Sequence, residues 1–190
     1  MLKLGALVLT GGRSTRMGAD KAELDWLGVR AVDRVAGVAA AVGAAPILSV
    51  GPRGYGLQHV SDEAAFGGPV GGVLIGARAL LAAGCGRALV LAVDAPTLRP
   101  EDLRPLLDHP APGAVFERLH LPMVVELRAL PPDAEADWPI DRLVTRAGLT
   151  RLDCPLDALP RLRGANTPGE REALLQDLRD TEEGRQDSAG

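Results

Sequence analysis

Apolar positions along the chain gather in short runs, and these runs alternate with stretches in which they recur at helical spacing. "KLGALVL" (3–9), "PILSVG" (46–51) and "RALVLAV" (87–93) are continuous apolar runs of strand length. Between them, "RAVDRVAGVAAAV" (30–42) and "GGVLIGARALLAAGC" (71–85) carry the helical period, and Gly43 and Gly84 stand at their ends. "PEDLRPLLDH" (100–109) follows as a helix with Pro100 near its start. The second half is less regular: "GAVFE" and "PMVVEL" read as strands, "PIDRLVTRAG" as a helix and "TPGEREALLQDLRD" as a closing amphipathic helix. Strands alternating with helices predict an α/β fold, a mostly parallel sheet with helices on both faces.

No repeat and no linker divides the pattern, so residues 1–180 are expected to form a single domain. The polar tail "TEEGRQDSAG" (181–190) is expected to be disordered. With 190 residues there is room for one sizeable core. Apolar residues make up 46% and aromatics only 3%, so that core is built from Ala, Val and Leu, which lets helices approach the sheet closely.

A net charge of -4 excludes general nucleic-acid binding, and any cationic site must be local. Cys85 and Cys154 are too few for a disulfide framework or a four-ligand zinc site, which points to a reducing, cytoplasmic setting. No stretch is long and apolar enough to predict a membrane span. His59, His109 and His120 are scattered, with no metal-ligand spacing among them, and Trp26 and Trp138 are too few for a base-stacking platform.

Unusual chemistry collects where strands end. After the first strand comes "LTGGRSTRMGADKAEL" (9–24), where Gly11 and Gly12 allow a sharp turn with backbone N–H groups presented to an anion. Arg13, Arg16 and Lys21 add positive charge, suited to a polyphosphate. The same residues also fit a plain glycine-rich turn with solvated basic groups, and neither GxxxxGK[ST] nor GxGxxG is present. Asp94, after "RALVLAV", is either a hard oxygen ligand for magnesium or a cap on the next helix. In open α/β sheets such strand ends line the ligand crevice.

The stretch at 9–24 resembles the signature of the nucleotidyltransferases related to molybdenum cofactor guanylyltransferase, L-A-G-G-x-S-x-R-M-G-x-x-K, with Thr10 in place of Ala. "SDEAAFGGPVGG" (61–72) is similar to the family's D…GPLAG segment, and "VLAVDAPTL" (90–98) to its strand ending in CDMP. "LPMVV" (121–125) stands at its Pro-Leu motif and "GANTPGE" (164–170) at its N-x-N-T-P-E-D. Val93 and Ala95 depart from Cys and Met, and Gly164 from the first Asn.

The resemblance implies a Rossmann-like fold that binds a nucleoside triphosphate and magnesium and releases pyrophosphate. It implies Asp94 as metal ligand, Arg16, Lys21 and Asp94 as the catalytic set, and a nucleotide held by Leu9, Thr10, Gly11, Gly12, Arg13 and Lys21. Asp62 would lie near the base or ribose, Gly68, Pro69 and Gly71 around the nucleotide, and Asn166 at the substrate. Within the resemblance, the glycine segments at 11–12 and 67–72 look more like guanylyl than cytidylyl transferases, which favours GTP as substrate and molybdopterin as acceptor; the resemblance also implies molybdoenzymes or cofactor-insertion proteins as partners. A relative using CTP or another phosphorylated acceptor, and a nucleotide-binding module without turnover, are the alternatives; the Gly164 departure bears on the acceptor.

Overall fold

A computed structural model of the chain describes residues 2–11, 20–61, 68–165 and 167–187, with side chains as far as Thr181. The chain opens with β1 (Leu4–Leu9) and, after a 3-10 turn at Lys21–Glu23, makes a small hairpin of β2 (Asp25–Trp26) and β3 (Val29–Arg30). Then come α1 (Ala31–Ala41), β4 (Ile47–Gly51), β5 (Gln58–Ser61), α2 (Gly68–Ala82), β6 (Arg87–Ala92) and α3 (Pro100–Leu107). The remainder is β7 (Gly113–Phe116), β8 (Met123–Glu126), a second 3-10 turn at Leu127–Ala129, α4 (Ile140–Arg146), β9 (Thr150–Leu152), α5 (Leu159–Arg163) and α6 (Pro168–Asp187).

Seven strands form one sheet in the order β5-β4-β1-β6-β8-β7-β9. All run in the same direction except β8, which is antiparallel to both β6 and β7. The link from β7 to β8 is too short for a crossover helix, so β8 must return antiparallel, and it fills the slot between β6 and β7.

Alternation along each strand separates two cores. Ala6 and Val8 of β1, Leu89 and Leu91 of β6 and Phe116 of β7 face a layer that includes Val32 and Val35 of α1, Leu103 and Leu106 of α3 and Leu174 of α6. Leu7, Leu9, Val90, Val115 and Met123 face the opposite layer, with Val73 and Leu80 of α2 and Leu143 of α4. Helices on both faces and a mostly parallel sheet agree with the expected fold class.

Several details differ from the sequence pattern. α2 starts at Gly68, three residues before the apolar period, because Pro69 is tolerated in a first helical turn, where its missing N–H has no partner to lose. β5 and β9 flank the sheet with polar, largely exposed residues, so no apolar run announces them. Of the tail at 181–190, residues 181–187 continue α6 and 188–190 lie outside the described residues. Thr181 ties that helix down, donating to Asp177 O at 2.7 Å and accepting from Arg99 Nη2 at 2.6 Å. Beyond that anchor, Glu, Gln and Arg have enough helix propensity to extend a helix already nucleated upstream. No helix among the described residues is long and apolar enough to cross a membrane.

Candidate active site

The chain steps outward from β1 to β4 and β5 on one side, then crosses back to place β6 on the other side of β1. That reversal opens a crevice at the carboxyl ends of β1 and β6, where ligands of open α/β sheets bind. β1 and β6 are in register as far as Leu9 opposite Ala92, and Val93 N–H donates to Leu9 O at 3.2 Å. Thr10 and Asp94 therefore emerge side by side at the crevice.

Asp94 Oδ2 accepts a hydrogen bond from Lys21 Nζ at 3.3 Å, although 73 residues separate them in sequence. Their side chains keep 32% and 27% of their exposure, so the pair is sheltered but open to an incoming anion or cation. Lys21 and Asp94 are each other's counter-charge here, and an anion at the lysine with a cation at the carboxylate would replace both partners. Among the described residues no group of three His, Cys, Asp or Glu side chains could hold a metal. Asp94 by itself offers a carboxylate, the hard oxygen donor that magnesium takes.

The glycine turn meets β4 at close range. Thr10 N–H donates to Val50 O at 2.9 Å, and Thr10 Oγ1 lies 3.2 Å from the same oxygen and 3.4 Å from Ser49 Oγ. Thr10 is thus spent on holding β1 to β4, and Leu9 points into the core against Gly72. Opposite them Gly51 has φ +152°, and a Cβ there would come within 2.5 Å of Thr10 Oγ1 and 2.7 Å of Gly11 N. Only a glycine at 51 lets Gly11 keep its backbone exposed at this edge. His59 Nε2 donates to Gly51 O at 2.8 Å, which ties β5 to the same lip of the crevice.

Gly68 and Pro69 open α2 on the surface, whereas Gly71 is buried, and a Cβ there would lie 3.2 Å from Ala136 Cβ. Close packing on the segment at 136 thus accounts for Gly71. Gly12, Arg13, Arg16, Asp62 and Asn166 lie outside the described residues. Of the expected site residues, Lys21 and Asp94 pair and Gly11 is exposed beside Gly51, whereas Leu9 and Thr10 turn inward and Gly68 and Pro69 open α2.

Gly164, not among the expected site residues, packs directly against Asp94. Its φ is +69°, and a Cβ would overlap the carbonyl oxygen of Asp94, while Ala165 N–H donates to that oxygen at 3.3 Å. The segment preceding α6 therefore lies directly on Asp94. An asparagine at 164 could not take this conformation without moving the strand end, so the departure from the motif is a backbone requirement here. Val93 and Ala95, the other departures, are both buried packing positions flanking Asp94. α6 is then opened by a reciprocal cap: Glu170 N–H donates to Thr167 Oγ1 at 3.2 Å and Thr167 N–H to Glu170 Oε2 at 3.0 Å.

Beside Lys21 and Asp94 a small cavity is lined by Leu24, Trp26, Pro96 and Arg171. The Arg171 guanidinium lies 5.3 Å from the Trp26 ring centre, and one of its nitrogens donates to Asp25 O at 2.6 Å. Among the described residues Trp26 Nε1 and Arg171 Nε are buried donors without a partner.

A mostly parallel sheet with a ligand crevice at its switch point, crossed by a lysine–carboxylate pair, defines the class: α/β proteins that present charge to a ligand at strand ends. Within that class the chain belongs to the MobA-like NTP transferase domain family, whose sequence profile matches residues 6–131. A curated relative from Pelotomaculum thermopropionicum, named probable molybdenum cofactor guanylyltransferase, is 38% identical over 112 residues, 57% of this chain and 53% of the relative. The chain spans about half the length of the curated relatives it matches. Among solved structures, a nucleotidyl transferase from Methanothermobacter thermautotroptrophicus is 19% identical with a TM-score of 0.70, covering 92% of this chain and 99% of that one. Molybdopterin-guanine dinucleotide biosynthesis protein A from Archaeoglobus fulgidus is 18% identical with a TM-score of 0.66, covering 93% and 99%. At those identities the two structures establish the fold.

Proposed function

We propose that this chain transfers a nucleoside monophosphate from a nucleoside triphosphate to a phosphorylated acceptor, with GTP as donor and molybdopterin as acceptor. The observation that carries the reading is the Lys21–Asp94 pair, 3.3 Å apart across the switch-point crevice of a MobA-like family member. The relative at 38% identity supports guanylyl transfer as the particular reaction.

In the reaction an oxygen of the acceptor phosphate forms a bond to the α-phosphorus. The bond from that phosphorus to the β-phosphate bridging oxygen breaks, and its electron pair leaves with pyrophosphate. No covalent intermediate on the protein is needed, so the residues act by orientation and charge. Lys21 exchanges its bond to Asp94 for a phosphate oxygen and steadies the charge that grows on the leaving group. Asp94, released from the lysine, would hold magnesium, which when bound neutralises phosphate charge. The backbone at Gly11, left bare by Gly51, gives the nucleotide a surface without side-chain obstruction.

Guanine presents a carbonyl, a ring N–H and an amine on one edge, whereas a site built for it would leave polar groups unpaired with cytosine. GTP should therefore bind at least about tenfold more tightly than CTP, about 1.4 kcal/mol. The test is pyrophosphate release with magnesium, GTP and a molybdopterin-bearing acceptor. Asp94→Asn should remove nearly all release while keeping the fold, since the side chains match in size. Equal use of CTP would redirect the base assignment, and nucleotide binding without release would mark a binding module. Release by Asp94→Asn at the parent rate would remove Asp94 from the reaction.

A further inference from the structure

Lys21 sits in a 3-10 turn of three residues, and so short a turn needs outside support to keep its shape. Asp20 gives part of it, its Oδ1 accepting from Ala22 N–H at 3.0 Å. The other oxygen of that carboxylate, Oδ2, accepts the hydroxyl of Tyr55 at 2.8 Å. Tyr55 lies in the loop that follows β4, the strand beside β1 on the side away from β6. It has φ +53°, a left-handed conformation that a side chain disfavours, so the surrounding contacts must hold it there.

A second contact closes the circuit. The carbonyl of Tyr55 accepts from Arg30 Nη2 at 3.0 Å, and Arg30 reaches Glu23, the last residue of the lysine turn, at 3.5 Å. Arg30 itself is fixed at the start of α1 by a two-pronged pair with Asp33, at 2.7 and 3.0 Å. Turn, loop and helix start are thereby linked in a ring around Tyr55. None of these groups touches Asp94 or the reacting atoms, and the sequence gives Tyr55 no motif.

Resting on the nucleotidyl-transfer reading, we propose that Tyr55 is a positioning residue: its bond to Asp20 clasps the loop after β4 to the lysine turn and so fixes the aim of Lys21 at the crevice. A lysine stem is long and flexible, so its ammonium is only as well placed as the backbone that carries it. A shift of about 1 Å in a group that orients reactants can cost on the order of a hundredfold in rate. The clasp also makes the lysine turn and the β4 loop a single body, so that a nucleotide seated against that loop meets Lys21 already in place.

Tyr55 is the single tyrosine of the chain, so phenolate absorbance reports the clasp directly. Burial and then the bond to Asp20 push its hydroxyl up to about 12, with Glu23 adding to the rise and Arg53 opposing it. Asp20→Asn should bring the titration down toward the ordinary value of about 10. Tyr55→Phe keeps the ring and removes only the hydroxyl. It should speed hydrogen exchange at Ala22 and weaken triphosphate binding by about tenfold, while changing monophosphate binding by less than about twofold, because only the triphosphate extends to Lys21.

A hydroxyl that titrates at the ordinary value in the unaltered protein, or unchanged exchange at Ala22 in Tyr55→Phe, would overturn the clasp. Unchanged triphosphate binding and turnover in Tyr55→Phe would overturn the positioning role. If the unaltered protein releases no pyrophosphate while the titration and exchange behave as expected, the transfer reading falls and the clasp between turn and loop stands.

Discussion

Gly164 and Asp94 form a contact between backbones, and its consequences can be read without reference to any ligand. Gly164 holds φ +69° with the Asp94 carbonyl directly against its Cα. Gly164→Ala introduces both a disfavoured dihedral and a collision with a strand end, two separate sources of strain. The expected loss is at least about 2 kcal/mol, seen as a lower urea midpoint with an unchanged slope. Because the collision falls on Asp94, turnover should drop further than the unfolded fraction alone explains. A variant with full stability and full activity would show that the segment before α6 can leave Asp94 at no cost.

Between elements, the decisive polar contact is Arg161 with Asp102. The guanidinium of Arg161, in α5, meets both carboxylate oxygens of Asp102, in α3, at 3.0 and 2.7 Å. The side chains retain only 10% and 6% of their exposure, so this pair is shielded from water and salt. Asp102 is doubly engaged, since its Oδ2 also accepts Arg99 N–H at 3.0 Å and so caps α3. The carboxylate beside it holds the Arg161 guanidinium charged by hydrogen bonding, against the opposing effect of burial. Arg161→Met leaves a buried carboxylate without its partner and should cost about 3 kcal/mol or more, measured by chemical denaturation. Asp102→Leu combined with Arg161→Met should recover part of that loss, because removing both charges also removes their desolvation penalty. Additive losses would mean that the charges do not depend on each other.

At the scale of the molecule, the separation between α2 and the sheet is set by glycines. A Cβ at Gly76 would lie 2.7 Å from Leu7 Cδ2, and one at Gly72 would lie 3.3 Å from Leu9 Cδ2. The spacing of four residues puts both on the face turned to β1, so the helix backbone rests on leucine side chains. This is how a chain with 3% aromatics closes its core, by bringing layers together instead of filling a wide gap. Gly76→Val should push α2 from the strands and cost about 2–3 kcal/mol, with a matching fall in melting temperature. Gly37, where nothing stands within 4 Å of an added Cβ, is the control. Gly37→Ala, inside α1, should raise stability by about 0.5–1 kcal/mol through helix propensity. An equal response at both sites would deny α2 its close approach.

By itself the sequence determined the interior strands and the helices that cover them, because burial on both faces demands apolar runs at β1, β4 and β6 and a helical period between them. It also marked Lys21 and Asp94, each next to a strand or turn signal. It could not reveal β5 and β9, since an edge strand gains its backbone partners from one neighbour and can remain polar. Nor could it give the place of β8 between β6 and β7, which depends on what space those strands leave open. The pairing of Lys21 with Asp94 across 73 residues, the hold of Tyr55 on Asp20, and the need for glycine at 51 and 164 were decided by tertiary structure. In each case the cause is proximity between backbone segments remote in sequence, and a local pattern carries no record of the neighbour that folding brings within 3 Å or so of it.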